Sequence, residues 1–109
     1  MQGRRIQPDE NGYPPKLEAG DYVLVAPKRA GDGREFTDCE REQWWTKPYW
    51  MCCTPNGHSG TLCAHTVVEH EDGTITVSPS ILIRTSYDSG KTMVELWHGY
   101  LELGIWRSC

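Results

Sequence analysis

Several features that would place this chain in a class at once are missing from it. No run approaches the roughly 18 consecutive apolar residues of a membrane-spanning helix, so a helical membrane protein is excluded. Met1-Gln2-Gly3-Arg4-Arg5 is not followed by the apolar stretch of an export signal, so a cytosolic location without a membrane partner is expected. Basic residues are in deficit: 11 Lys and Arg stand against 15 Asp and Glu, a formal net charge of −4. A protein that grips a phosphate backbone needs a basic stripe, so nucleic acid is not an expected partner. Gly31-Asp32-Gly33 has no Gly-Lys-Ser/Thr after it, which excludes a phosphate loop. Internal repeats and low-complexity tracts are lacking too. The five cysteines, Cys39, Cys52, Cys53, Cys63 and Cys109, are an odd number with no C-x2-C pair, and free thiols are the expectation.

What is present bounds the fold. At 109 residues the chain is one domain by size, with a charged fraction of 24% that fits a globular body rather than a disordered one. Residues 1–20 are rich in turn and donor-poor positions (Pro8, Asn11-Gly12, Pro14-Pro15, Gly20) and read as an extended N-terminal arm, with Tyr13 as its anchor. Residues 21–109 then read as a single β-rich domain. Asp21 to Ala26 is the first strand, β-branched and ended by Pro27. Thr37 or Asp38 can cap one short helix near residues 37–46, and Pro48 stops it.

Strands follow at Tyr49–Cys53, Leu62–Glu69, Thr74–Val77, Ile81–Tyr87, Thr92–Leu101 and Ile105–Ser108. Between them lie Thr54-Pro55-Asn56-Gly57, Asp72-Gly73, Ser78-Pro79-Ser80, Asp88-Ser89-Gly90 and Glu102-Leu103-Gly104. In the longest strand, alternation puts Val94, Leu96, His98 and Tyr100 on one face and Met93, Glu95, Trp97 and Leu101 on the other. Short strands with regular turns predict a mainly β fold, a small antiparallel meander, rolled or sandwich-like.

Three constellations bear on chemistry. Cys53, His58, Cys63 and His65 are zinc-type donors close in sequence, but their spacing departs from the usual knuckle, and Cys52 and Cys53 face opposite sides of a strand. Buried cysteines behaving as small apolar residues are the plainer alternative. Cys63 and His65 would share a strand face, yet neither an orienting carboxylate nor an oxyanion site is marked, so no enzyme is expected. The five tryptophans, Trp44, Trp45, Trp50, Trp97 and Trp106, are a heavy load for this length. At least three are expected to fill the core. Trp44 and Trp45 are adjacent, so one of them belongs at a rim. Trp44, Trp45, Trp97 and Tyr100, with Arg84 and Arg107 beside aromatics, form the candidate binding set.

Thr74-Ile75-Thr76-Val77-Ser78-Pro79-Ser80-Ile81-Leu82, followed by Trp97-His98-Gly99-Tyr100-Leu101-Glu102, resembles a family of small bacteriophage and prophage proteins. In the family's cysteine-rich branch a C-P-x-C-G-x-H segment comes first, then a C-H pair in a glycine-turn hairpin and a final cysteine. Cys53-Thr54-Pro55-Asn56-Gly57-His58 is similar to the first segment with Asn56 in place of a cysteine, and Trp97-His98 to the pair with tryptophan in place of a cysteine. The resemblance covers about residues 50–109. It implies a phage origin, a host-cell cytosolic setting, and metal ligands carried over only as Cys53, His98 and Cys109; with His58 these make the candidate metal set, so that no cofactor is expected and zinc is the alternative. The expected function is a non-enzymatic accessory protein that binds a host or virion protein, for instance as an inhibitor of a host defence system. The alternatives are a binder of nucleotide-like small molecules and a zinc-stabilised structural domain or virion component, with self-association open in each case.

Overall fold

The computed structural model describes residues 1–86 and 88–109. Among these residues the fold is mainly β, with three small sheets and no closed barrel. The first sheet holds β1 (Arg4–Ile6), β2 (Asp21–Val25), β3 (Tyr49–Cys53) and β4 (Ser59–Thr61), in that order across the sheet. β1 runs parallel to β2, and the other pairings are antiparallel. β5 (Thr66–Glu69) and β6 (Ile75–Ser78) form a two-stranded ribbon. β7 (Ile81–Ser86), β8 (Met93–Glu102) and β9 (Ile105–Ser108) form an antiparallel meander. Of the expected strand Ile81–Tyr87, Tyr87 lies outside the described residues.

The expected helix is present as α1 (Asp38–Arg41), a single turn. Thr37 caps it: the Glu40 amide donates to Thr37 Oγ1 at 3.2 Å and the Thr37 amide donates to Glu40 Oε1 at 2.9 Å. This reciprocal capping box satisfies two amides that a helix start leaves free. A 3₁₀ turn, Trp44–Thr46, follows.

One cluster forms the core: Tyr22 and Cys52 from the first sheet, Leu62, Ile75 and Val77, and Ile81, Trp97, Leu101 and Trp106 from the meander. Trp97 and Trp106 meet edge to face, centroids 5.3 Å apart at 84°. Trp106 Nε1 donates to the Gly20 carbonyl at 2.9 Å, which gives the buried indole its partner. The Trp97 ring folds back over Gly99, where an added Cβ would lie 2.5 Å from Trp97 Cη2 and 2.2 Å from the Arg107 carbonyl oxygen. Glycine is what lets this ring lie flat in the core. Leu103 and Gly104, both at positive φ (50° and 74°), close the β8–β9 hairpin, as a two-residue turn matched to strand twist demands.

Two expectations are changed, and one strand is new. Residues 1–6 are extended but packed on the body. β1 pairs with β2, the Gly3 amide donates to the Gly104 carbonyl at 2.7 Å, and the Trp106 amide donates to the Met1 carbonyl at 2.8 Å. The Tyr13 hydroxyl donates to the Arg29 carbonyl at 2.6 Å, the anchor expected of it. Leu62–His65 is a turn rather than the start of a strand, with the His65 amide donating to the Leu62 carbonyl at 3.0 Å. The strand that precedes it is β4, which the small residues Ser59-Gly60-Thr61 do not announce.

Candidate functional site: an aromatic groove

Pro48 ends the helical segment, and the chain turns from Trp44–Thr46 straight into β3. That junction puts two consecutive aromatic pairs, Trp44-Trp45 and Tyr49-Trp50, on either side of one bend. Trp44 packs edge to face on Tyr49, centroids 5.3 Å apart at 69°, yet is 58% exposed. Trp45 turns away and meets Phe36 edge to face at 5.7 Å. The two tryptophans therefore divide as their adjacency requires, one at a rim and one against the body.

Trp44, Pro48, Tyr49 and Trp50 line an open groove of about 390 Å³. Leu62 and Val67 line it too, and because Leu62 belongs to the core cluster and Val67 and Trp50 pack on it, the base of the groove is fixed by the core. Its polar lining is Lys47, Cys63 and His65. Lys47 is the one residue of fixed charge among these, in a chain of net charge −4, and no carboxylate joins the lining. Arg5 lies nearby, its guanidinium 5.0 Å from the Trp50 ring centroid, and its charge is offset by its pairing with Glu69. Burial first, and then the neighbouring Cys63, push the Tyr49 phenol up from its ordinary value. Tyr49 is a neutral donor there at physiological pH. His65 Nε2 lies 3.2 Å from the Ser80 carbonyl, which can only accept, so the proton sits on Nε2. Its Nδ1 is buried with no hydrogen-bond partner among the described residues.

The expected binding set falls into separate places. Trp44 lines the groove and Trp45 does not. Trp97 is 9% exposed and belongs to the core, which corrects its placement on a binding face. Tyr100 and Arg107 are cross-strand partners on the outer face of the meander, with Arg107 5.9 Å from the Tyr100 ring centroid and paired to Glu102 at 2.6 Å. Arg84 is exposed on β7 opposite Glu95. The sequence reading missed Lys47, Pro48, Tyr49 and Trp50. The signal was the run Trp44-Trp45-Thr46-Lys47-Pro48-Tyr49-Trp50, four aromatics around a cation and a proline.

The metal-type donors also divide. Cys53 is buried on β3, facing away from Cys52. His58 belongs to the turn after it, its amide donating to Thr54 Oγ1 at 3.0 Å. His98 and Cys109 are neighbours across the β8–β9 pair, the Cys109 amide donating to the His98 carbonyl at 3.0 Å. Among the described residues no group of three or more His, Cys, Asp or Glu side chains is arranged to hold a metal ion. All five cysteines are free thiols. Burial, with a smaller push from Cys53, raises the Cys52 thiol to about 12, so it acts as a small apolar core residue.

Comparison of the chain with protein-family models, with curated proteins and with solved structures returned no match.

Proposed function

We propose that the chain is a binding module of phage origin that seats an extended, acidic segment of a host or virion protein in the Trp44–Trp50 groove and acts by occlusion. The observation that carries this is Trp44, a large aromatic left 58% exposed at the mouth of a groove whose base the core holds rigid. Aromatic-lined grooves are a usual seat for extended, proline-containing segments, whose preformed polyproline II helix leaves little conformational entropy to lose. The groove's charged lining is cationic, which favours carboxylates on the partner. The phage origin rests on the resemblance of residues 74–82 and 97–102.

The test is capture from bacterial lysate by the parent chain and by Trp44→Ala, followed by overlapping peptides of any captured protein. A tryptophan that anchors an interface contributes at least about 2 kcal/mol, so the variant should lose the partner's acidic segment by roughly 30-fold or more. A partner that binds both chains equally, or whose binding segment is basic, overturns the proposal.

A second reading has its own support. Lys47, and Arg5 stacked on Trp50, also suit an anionic ring such as a nucleotide. A ligand at 100 times its dissociation constant adds about 2.7 kcal/mol of stability, so a nucleotide panel in a thermal-shift assay decides it, and no shift across the panel ends it.

A further inference from the structure

The outer face of the β7–β8–β9 meander gathers a hydroxyl, an imidazole and a carboxylate from three points of the chain. Ser80, the residue before β7, has its Oγ 3.0 Å from His98 Nε2. The other ring nitrogen, Nδ1, faces Glu95 Oε1 at 3.8 Å. Strict alternation would send Glu95 and His98 to opposite faces of β8, because they are three residues apart. The register slips at this point: Ile83 pairs with Trp97, and the next residue, Arg84, pairs with Glu95, so Leu96 is the extra residue of a bulge. The bulge turns Glu95 toward His98, and re-aiming a side chain is what such irregularities do beside functional sites. Ser80 is held from the other side, since His65 Nε2 donates to its carbonyl at 3.2 Å.

The Ser80 hydroxyl donates to Nε2 in the tautomer that carries its proton on Nδ1, the side of the ring on which the Glu95 carboxylate lies, 3.8 Å away and beyond direct hydrogen-bond reach. That is the order of groups in a hydroxyl nucleophile activated by a base and an orienting acid.

We propose that Ser80, His98 and Glu95 form an acyl-transfer site, with Ser80 as nucleophile, His98 as general base and Glu95 as the residue that positions it. Ser80 Oγ forms a bond to the carbonyl carbon of an ester while its proton passes to His98 Nε2. The bond from that carbon to the aryl oxygen breaks, the oxygen leaves either with the proton from His98 or as the aryloxide while His98 returns the proton to water, and the acyl group remains on Ser80. Water, deprotonated by the same imidazole, then releases the carboxylic acid and restores the hydroxyl. The His98 side chain is 34% exposed and that of Glu95 59%, so the site is open and suits a small acyl group on a good leaving group. Tyr100 is two residues beyond His98 and shares its face, which favours an aromatic leaving group. The substrate class is therefore aryl esters of small carboxylic acids. This activity does not pass through the groove, with which it shares only His65, a lining residue that donates to the Ser80 carbonyl.

The full chain is incubated with p-nitrophenyl acetate, with p-nitrophenolate release followed by absorbance and the acetylated residue located by peptide mass spectrometry. A fluorophosphonate probe on the unaltered chain gives a parallel label that needs no variant. The proposal expects acetyl and phosphonyl groups on Ser80. It expects no labelling of that peptide in Ser80→Ala, and acylation slowed about 100-fold in His98→Asn. Glu95→Gln should slow acylation about tenfold, and Glu95→Asp should recover part of the loss with an unchanged melting temperature. Acetyl found only on Cys109, on lysines or on the amino terminus overturns the assignment, as does a Ser80 left unlabelled by the fluorophosphonate. Equal rates for Glu95→Gln and the parent remove Glu95 from it.

Discussion

Gly99→Ala is the sharpest perturbation of the core. The added methyl would stand 2.5 Å from Trp97 Cη2, 2.8 Å from Trp97 Cζ2 and 2.2 Å from the Arg107 carbonyl oxygen. The oxygen belongs to the β9 backbone, so a rotamer change of Trp97 cannot clear the clash alone. The strands must part, and Trp97 must leave its edge-to-face contact with Trp106. Overpacking a core costs about 1–3 kcal/mol, and losing an aromatic pair a further 0.5–1.5 or so. A loss of roughly 3 kcal/mol is expected, which for a domain near 100 residues lowers the melting temperature by about 12–18 °C. Thermal unfolding followed by tryptophan fluorescence reads both the midpoint and the displaced indole. Gly60→Ala is the internal comparison, because there the methyl meets only the flexible end of Ile83, at 2.7 Å, and a smaller loss is expected. A Gly99→Ala midpoint within about 2 °C of the parent would refute the account of the Trp97–Gly99–Trp106 packing.

Three further outcomes follow from the geometry. Thr37→Ala removes the helix cap and should cost about 1 kcal/mol in urea unfolding, with no change in denaturant slope. The Glu40 carboxylate is held down to about 2, first by Arg34 and then by the Thr37 amide, against 4.5 unperturbed. A lowered native value means its contribution is whole above about 4.5 and is lost as pH falls toward about 2, so order in residues 34–41 should fade across that window, as read by backbone NMR shifts. Brief alkylation of the native chain with iodoacetamide should modify Cys39, Cys63 and Cys109 and spare Cys52 and Cys53, which are buried; modification of Cys52 before unfolding would contradict the core assignment.

Much of the fold was legible because its signals are local. Tyr49–Cys53 is bounded by Pro48 and by Thr54-Pro55-Asn56-Gly57, and β3 occupies that span. Thr37 with Glu40 three residues on is a capping signature that needs no tertiary context. Leu62 misled because its burial comes from the core cluster and not from a ladder, and an apolar residue in a turn looks like one in a strand. β1 was hidden for the opposite reason: Arg4-Arg5-Ile6 is mostly charged, and its parallel partner lies 17 residues on. The groove was half legible. The Trp44–Trp50 run is contiguous, but Leu62, Cys63, His65 and Val67 reach it only through the β3–β4 pairing and the turn after it. Tyr100 and Arg107 meet only through the β8–β9 register, and Trp97 is not separable by composition from an interfacial tryptophan. Glu95 was assigned away from His98 because alternation has no means of foreseeing a bulge.

The groove is tested most directly by titrating the chain into a fluorophore-labelled, proline-containing peptide rich in Asp and Glu, and into the same peptide carrying lysines, followed by the anisotropy of the label. The parent should bind the acidic peptide with an affinity that falls as salt rises, Trp44→Ala should lose it by roughly 30-fold, and Lys47→Glu should reverse the preference toward the lysine peptide. Equal binding of both peptides by the parent and by Lys47→Glu, or full affinity in Trp44→Ala, would contradict a groove that selects an acidic partner.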